Sequence, residues 1–159
     1  MIIYDDLDDF RKIYTYHCKK ALENNEIVLI SSTFETTDKI KSHLKSSGVN
    51  VLKHVLDGSL LIVDSMRSYH VSDVKGLVKL IDTVNERAQR EGKSGILCFA
   101  DIGTFFLLEK TDELINYESS NPKKLDTKTR VFCCYHKAQF DTLSKGQKQR
   151  LLECHNRIL

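Results

Sequence analysis

Short apolar runs that alternate with segments of helical period restrict this chain to an α/β architecture. Ile27–Ile30, Leu60–Val63 and Ile96–Ala100 are unbroken runs of four or five apolar residues. Such runs are what a strand covered on both faces requires, whereas a half-exposed strand alternates. Ile2–Tyr4 and Arg130–Tyr135 complete a set of five predicted strands. Between them, apolar residues recur every three to four positions. Leu7, Phe10, Ile13, Tyr14, Cys18, Ala21 and Leu22 form one stripe, and Val74, Leu77, Val78, Ile81, Val84 and Ala88 another. The first helix is closed by Asn24-Asn25. The second is capped by Ser72 and followed by Gly92.

Shorter elements fill the gaps. Thr36 or Thr37 caps a helix through Ile40 and Leu44, ended by Gly48. Val49–Leu56 reads equally as a strand or a short helical turn, and Asp57-Gly58 is a turn. Helical pieces are predicted at Phe105–Glu109, Asp112–Glu118 and Lys145–His155, with Gly146 weakening the start of the last. Pro122 opens a polar loop. Strands alternating with helices give a three-layer sandwich, with a mostly parallel sheet between two helical layers. Right-handed crossovers put the loops after the strands on one rim, where ligands of open sheets bind. The predicted rim comprises Asp5–Asp9, Ser31–Glu35, Asp64–His70, Asp101–Phe105 and Tyr135–Phe140.

The first rim corner, Asp5-Asp6-Leu7-Asp8-Asp9, is acidic. Phosphate-binding αβ corners carry glycines and a lysine, whose N–H groups and ammonium hold the anion. Carboxylates at this helix start complement the dipole themselves and repel phosphate.

The 159 residues suit one domain, 1–159. A net charge of +2 gives no strong attraction to nucleic acid or anionic membrane, so we expect neither partner. No apolar run approaches the ~20 residues of a membrane span, and no secretory signal opens the chain. Five cysteines without framework spacing point to reduced thiols in the cytoplasm.

Single residues offer several chemistries. Asp101 ends a buried strand, where a RecA-type ATPase holds its magnesium water; the plainer role is to cap the following turn. Strand alternation puts Cys133 and Tyr135 on one face and Cys134 and His136 on the other. Cys134 and His136 could take a metal with Asp101 or His70, or be a buried thiol and a hydrogen-bonded histidine. Structural zinc spacing is absent, so no metal and no cofactor are expected. Tyr69, His70, Phe105, Phe106, Tyr117, Glu118 and Tyr135 combine aromatic walls with polar handles, the make-up of a small-molecule pocket; each aromatic taken alone is equally a core residue. His17 and Cys18 are helix neighbours and do not face each other. No Gly-x-Ser-x-Gly, His-Glu-x-x-His or Cys-x-x-Cys occurs, and no catalytic residue is expected.

The segments Glu26–Glu35, Ser47–Val51 and Asp57–Asp64 resemble KaiC/RecA-like ATPases. Over nearly its whole length the chain more closely resembles the MEDS domain, the sensory domain of DcmR-like regulators of methanogens and methylotrophs. The resemblance rests on Ile2–Asp5, the Gly48 and Gly58 segments, Asp64 with Tyr69, and Asn116-Tyr117-Glu118 with Asn121. Cys134-Tyr135 before Phe140-Asp141 and the closing Leu152–Ile158 also carry it. It implies a RecA-like fold without ATPase activity that senses simple hydrocarbon derivatives and signals to a DNA-binding or kinase module. The acidic first corner, Thr36 in place of a second glutamate, and the isolated Asp101 depart from the ATPase pattern. The histidine often found before the first strand of the sensory family has no counterpart here.

The reading is a non-enzymatic cytoplasmic sensory domain. Its expected ligand contacts are Asp101, Tyr135, His136, Tyr69, Tyr117 and Phe105. No helix-turn-helix or kinase segment is seen, so output is expected through a partner signalling protein, a histidine kinase or transcription regulator; a homo-oligomer is compatible with this. The alternatives are a ligand-free adaptor built on a RecA-like fold and a residual nucleotide binder.

Overall fold

The computed structural model describes residues 1–120 and 128–155, apart from the side chains of residues 74, 75 and 77. The predicted Pro122 loop, Asn121 and the last three residues of the closing Leu152–Ile158 motif lie outside the described residues. Five strands form one sheet: β1 (Ile2–Tyr4), β2 (Ile27–Ser32), β3 (Leu60–Asp64), β4 (Ile96–Asp101) and β5 (Thr129–His136). All pairings are parallel, in the order β1-β5-β4-β2-β3. Central β2 is buried along its whole length, as its unbroken apolar run requires.

The helices divide between two faces, giving the expected three-layer sandwich. α1 (Leu7–Glu23) and α2 (Thr37–Ser46) cover one face. There Phe10, Tyr14, Cys18, Ile40 and Leu44 pack on Ile2, Tyr4, Val28, Ile30, Leu97, Phe99 and Cys134. α4 (Ser65–Arg90), α5 (Gly103–Leu107), α6 (Thr111–Ser120) and α8 (Lys145–Cys154) cover the other. Val84 and Ala88 of α4 sit on Ile27 and Ile96, with Ile81 beside them. Tyr135 is buried among Phe105, Leu114, Ile115, Phe140 and Leu151. α3 (Val51–Leu56) caps the edge beside β3, and Asn50 caps it through the Lys53 N–H. Of the Val49–Leu56 segment, Val51–Leu56 is therefore helical, and Val49 and Asn50 lead into it. Among the described residues no helix is long and apolar enough to cross a membrane.

Three rim segments differ from expectation. β2 continues through Ser32, so the loop there begins one residue after it. The predicted Asp64–His70 loop is helical from Ser65: Asp64 accepts a hydrogen bond from the Arg67 N–H at 2.8 Å and caps α4 eight residues before the predicted cap, Ser72. The expected boundary survives as a break at Asp73, at φ 51° and ψ −163°, which no continuous helix permits. The predicted Tyr135–Phe140 loop is strand through His136, followed by α7 (Lys137–Thr142). The His136 imidazole caps α7, with Nδ1 accepting from the Ala138 N–H at 3.2 Å. Histidine is a rarer cap than Ser, Thr, Asp or Asn.

Candidate functional site

The sheet reverses direction between β2 and β4. From β2 the chain moves outward to β3; from β4 it moves the other way to β5. A crevice at the carboxyl ends of two such strands is where open α/β sheets place ligands. Asp101 fills it. Its Oδ2 accepts the Thr33 N–H at 2.8 Å and its Oδ1 the Gly103 N–H at 3.0 Å. Thr33 Oγ1 adds a contact to Thr104 Oγ1 at 3.0 Å and accepts the Thr104 N–H at 3.1 Å. Burial pushes the Asp101 pKa up, and the backbone N–H groups of Thr33, Gly103 and Phe34 pull it back. Both oxygens are engaged with backbone, so Asp101 latches the two loops together.

The acidic corner behaves in the same self-contained way. Asp6 caps α1 by accepting the Asp9 N–H at 2.8 Å, and Asp8 pairs with Arg11 at 2.6 Å. Arg11 also holds the buried Glu35 at 2.8 Å, which accepts from Tyr14 OH as well, at 3.3 Å. The α1 N-terminus thus has its own carboxylate where a phosphate would otherwise dock.

Beside this latch the rim is open. A depression of about 360 Å³ is lined by Leu7, Phe34, His136, Ala138 and Gln139. Phe34 is 36% exposed, and its ring centroid lies 6.3 Å from that of His136. Because Nδ1 of His136 is an acceptor, the neutral ring carries its proton on Nε2. Gln139 Oε1 is buried without a hydrogen-bond partner. Tyr4 OH is likewise unpartnered, and its ring meets His136 edge-on at 5.3 Å. Burial, then the neighbouring Asp101, raise the Tyr4 pKa far above its ordinary value, so the phenol stays protonated. A wider depression of about 530 Å³ between α1 and α2 is lined by Asp8, Arg11, Lys12, Thr15, Tyr16, His43 and Ser47. Asp8 and Arg11 are already paired there.

The sheet separates the six predicted contacts. Asp101 and His136 share the α1 face of their strands with Tyr4 and Phe99. Tyr69, Phe105, Tyr117 and Tyr135 pack together on the opposite face. There the Tyr69 and Phe105 rings meet edge-on at 5.4 Å, and Tyr69 OH donates to Glu113 at 2.9 Å. These four do not line the rim depression. His70 is exposed on α4.

The opposite face holds a second polar cluster. Tyr135 OH donates to Glu118 Oε2 at 2.6 Å in a buried environment. Cys133 and His155 bring their donor atoms to within 4.8 Å of Glu118 and of each other. The predicted thiol–histidine pairing, Cys134 with His136, does not form this group; Cys133, on the other side of the strand, does. Strand alternation placed Cys133 correctly with Tyr135. Nothing in local spacing pointed to Glu118 and His155, which arrive from positions 15 residues before and 22 after it. Phe34 and Gln139 fall within the predicted rim segments Ser31–Glu35 and Tyr135–Phe140, but nothing in the sequence singles either out as a contact.

No curated protein and no solved structure matches this chain. The family model of MEDS, the methanogen/methylotroph, DcmR sensory domain, matches residues 1–156, and the chain belongs to that family of sensory domains.

Proposed function

We propose that this sensory domain is non-catalytic and binds a small, weakly polar organic molecule in the rim depression beside His136. The carrying observation is the chemistry of that depression. Leu7 and Phe34 supply apolar and aromatic walls, while His136 Nε2–H is a donor and Gln139 Oε1 an acceptor lacking a partner. A hydroxyl or amine on a short hydrocarbon can accept from the first and donate to the second. That matches the usual composition of small-molecule sites, apolar surface with few placed polar groups. The proposal moves the ligand away from Asp101, whose oxygens are committed, and from Tyr135, Tyr69, Tyr117 and Phe105, which lie across the sheet.

The depression joins four segments: the start of α1, the loop after β2, the end of β5 and α7. A ligand there shifts the α7 position only by its differential affinity for two arrangements of these segments. The partner protein reads that shift. The test is a thermal-shift panel of short alcohols, methylamines, halocarbons and short carboxylic acids against wild type, His136→Ala and Phe34→Ala. We expect an alcohol or amine to raise the melting temperature of wild type and neither variant to respond. Stabilisation that survives both substitutions would place the ligand elsewhere.

A further inference from the structure

Glu118, Cys133 and His155 come from three separate elements: the end of α6, the middle of β5 and the residue after α8. Their donor atoms all lie within 4.8 Å of one another, and Glu118 Oε2 is 3.6 Å from His155 Nε2. A tetrahedral zinc with bonds of about 2.0–2.3 Å has ligand–ligand edges of about 3.3–3.6 Å. The Glu–His edge already has that length, and the longest separation closes with a side-chain adjustment of about 1 Å.

The hydrogen bonding around the cluster sets each donor for a cation. His155 Nδ1 lies 2.7 Å from the Leu151 carbonyl. A carbonyl only accepts, so Nδ1 carries the proton, and the neutral ring presents its Nε2 lone pair toward Glu118. Lone pair then faces the carboxyl group, an arrangement that either a proton or a metal cation held between them satisfies. A backbone carbonyl behind the distal nitrogen is the usual orientation of a metal-bound histidine. On the carboxylate, Tyr135 OH occupies Oε2 at 2.6 Å, while Oε1 is buried with no partner; the side chain is 4% exposed. A buried acceptor left unmade is costly, and more so when charged. Cys133 lies against the same carboxylate, and burial followed by the charge of Glu118 pushes its thiol pKa well up. Bound metal reverses that, because a coordinating thiol is deprotonated outright.

We propose that Glu118, Cys133 and His155 bind a zinc-class divalent cation, with the fourth tetrahedral position open to water or a small exogenous ligand. One oxygen, one sulfur and one imidazole nitrogen suit borderline-soft Zn²⁺ and its spectroscopic surrogate Co²⁺ better than magnesium or calcium, which take oxygen shells. Three protein ligands leave the fourth tetrahedral position to water or another small ligand, unlike the closed four-ligand structural sites. Tyr135 is the outer partner that holds the carboxylate. The site lies across the sheet from His136 and stands independently of the rim reading.

Chelator-stripped full chain titrated with Co²⁺ tests this. We expect one equivalent bound, with a thiolate-to-cobalt charge-transfer band and displacement by Zn²⁺. Cys133→Ser removes the band. His155→Gln and Glu118→Gln each weaken binding by more than the roughly 10–100-fold that losing an outer partner costs, and Tyr135→Phe falls inside that range. His136→Gln leaves binding intact, which separates this site from the rim. His155 sits at the end of α8 and is partly exposed, so its glutamine variant keeps the fold, verified by circular dichroism. Absence of stoichiometric binding in wild type, or a charge-transfer band that persists in Cys133→Ser, would overturn the assignment. So would full affinity in a folded His155→Gln; an imidazolium–carboxylate pair would then account for the geometry.

Discussion

Replacing Tyr135 by Phe isolates one buried hydrogen bond with little change in packed volume. The ring remains among Phe106 and Phe140, 6.5 and 5.5 Å away, so the apolar contribution is preserved. What is lost is the 2.6 Å donor to Glu118 Oε2. Oε1 has no hydrogen-bond partner and His155 Nε2 lies 3.6 Å from Oε2, so the carboxyl group keeps only the weak Cys133 thiol contact and the charge of its neighbours. Burial raises the Glu118 pKa, so the measurement is made at a pH where the carboxyl is ionised; a hydrogen bond to a charged group then contributes about 1.5–3 kcal/mol. For a chain of this size, each kcal/mol moves the melting temperature by about 2–4 °C, giving a loss of about 3–12 °C. In a Glu118→Gln background the same substitution removes a neutral bond, worth about 0.5–1.5 kcal/mol. The double-mutant cycle therefore carries a coupling of about 1–1.5 kcal/mol. The measurement is urea denaturation of the four proteins with chelator present, so that metal does not contribute. Coupling below about 0.3 kcal/mol, the ordinary error of additivity, would refute the reasoning.

Other substitutions probe the latch and the rim. Arg11→Met strips the cation from Glu35, whose side chain is 1% exposed. We expect a loss of about 2–4 kcal/mol by chemical denaturation, somewhat below the fully buried case because Arg11 is 23% exposed; Glu35→Gln should restore part of it. Asp101 has a raised pKa in the folded chain, so the native state holds its proton to higher pH than the unfolded state does. Its contribution to stability is present in full below the ordinary aspartate pKa and declines as pH rises through the raised value. The stability of wild type minus that of Asp101→Asn should therefore fall with rising pH across that window and then level off; a difference that grows with pH contradicts it. At Gly103, an added Cβ would lie 2.4 Å from the Phe34 ring and 3.2 Å from Asp101 Oδ1. Gly103→Ala should swing Phe34 out of the depression, at a cost of up to about 1–3 kcal/mol, and abolish any ligand-induced thermal shift. Gly58, at φ +70°, should lose about 1–2 kcal/mol on conversion to Ala, with Arg87 displaced from the Gly58 and Asp57 carbonyls.

Most of the architecture was legible because it rests on period. Ile27–Ile30 and Ile96–Ala100 are apolar throughout for the simple reason that helices cover both sides. Phe10, Tyr14 and Cys18 mark the buried face of α1 at helical spacing. What escaped were starts set by single hydrogen bonds. Asp64 ends a strand and caps a helix at once, and only the second role tells where α4 begins. His136 caps α7 through a ring nitrogen, a signal no propensity scale carries. The acidic corner was read correctly as a helix N-terminus furnished with its own charge, and Asp6 performs that cap. The candidate contacts were harder. Alternation along β5 puts Tyr135 and His136 on opposite faces of the sheet, and only His136 lines the rim depression. Glu118, Cys133 and His155 meet only because α6 and α8 pack side by side over β5, a tertiary event without a local trace.

The rim reading is tested most directly by amide and aromatic NMR of the full chain titrated with a short alcohol or amine that raises its melting temperature. We expect the saturable shift changes to centre on Leu7, Phe34, His136, Ala138 and Gln139, with His136 Nε2–H among the largest. Changes that instead centre on Tyr69, Phe105, Tyr117 and Tyr135 across the sheet, or no saturable response to any member of the panel, would contradict it.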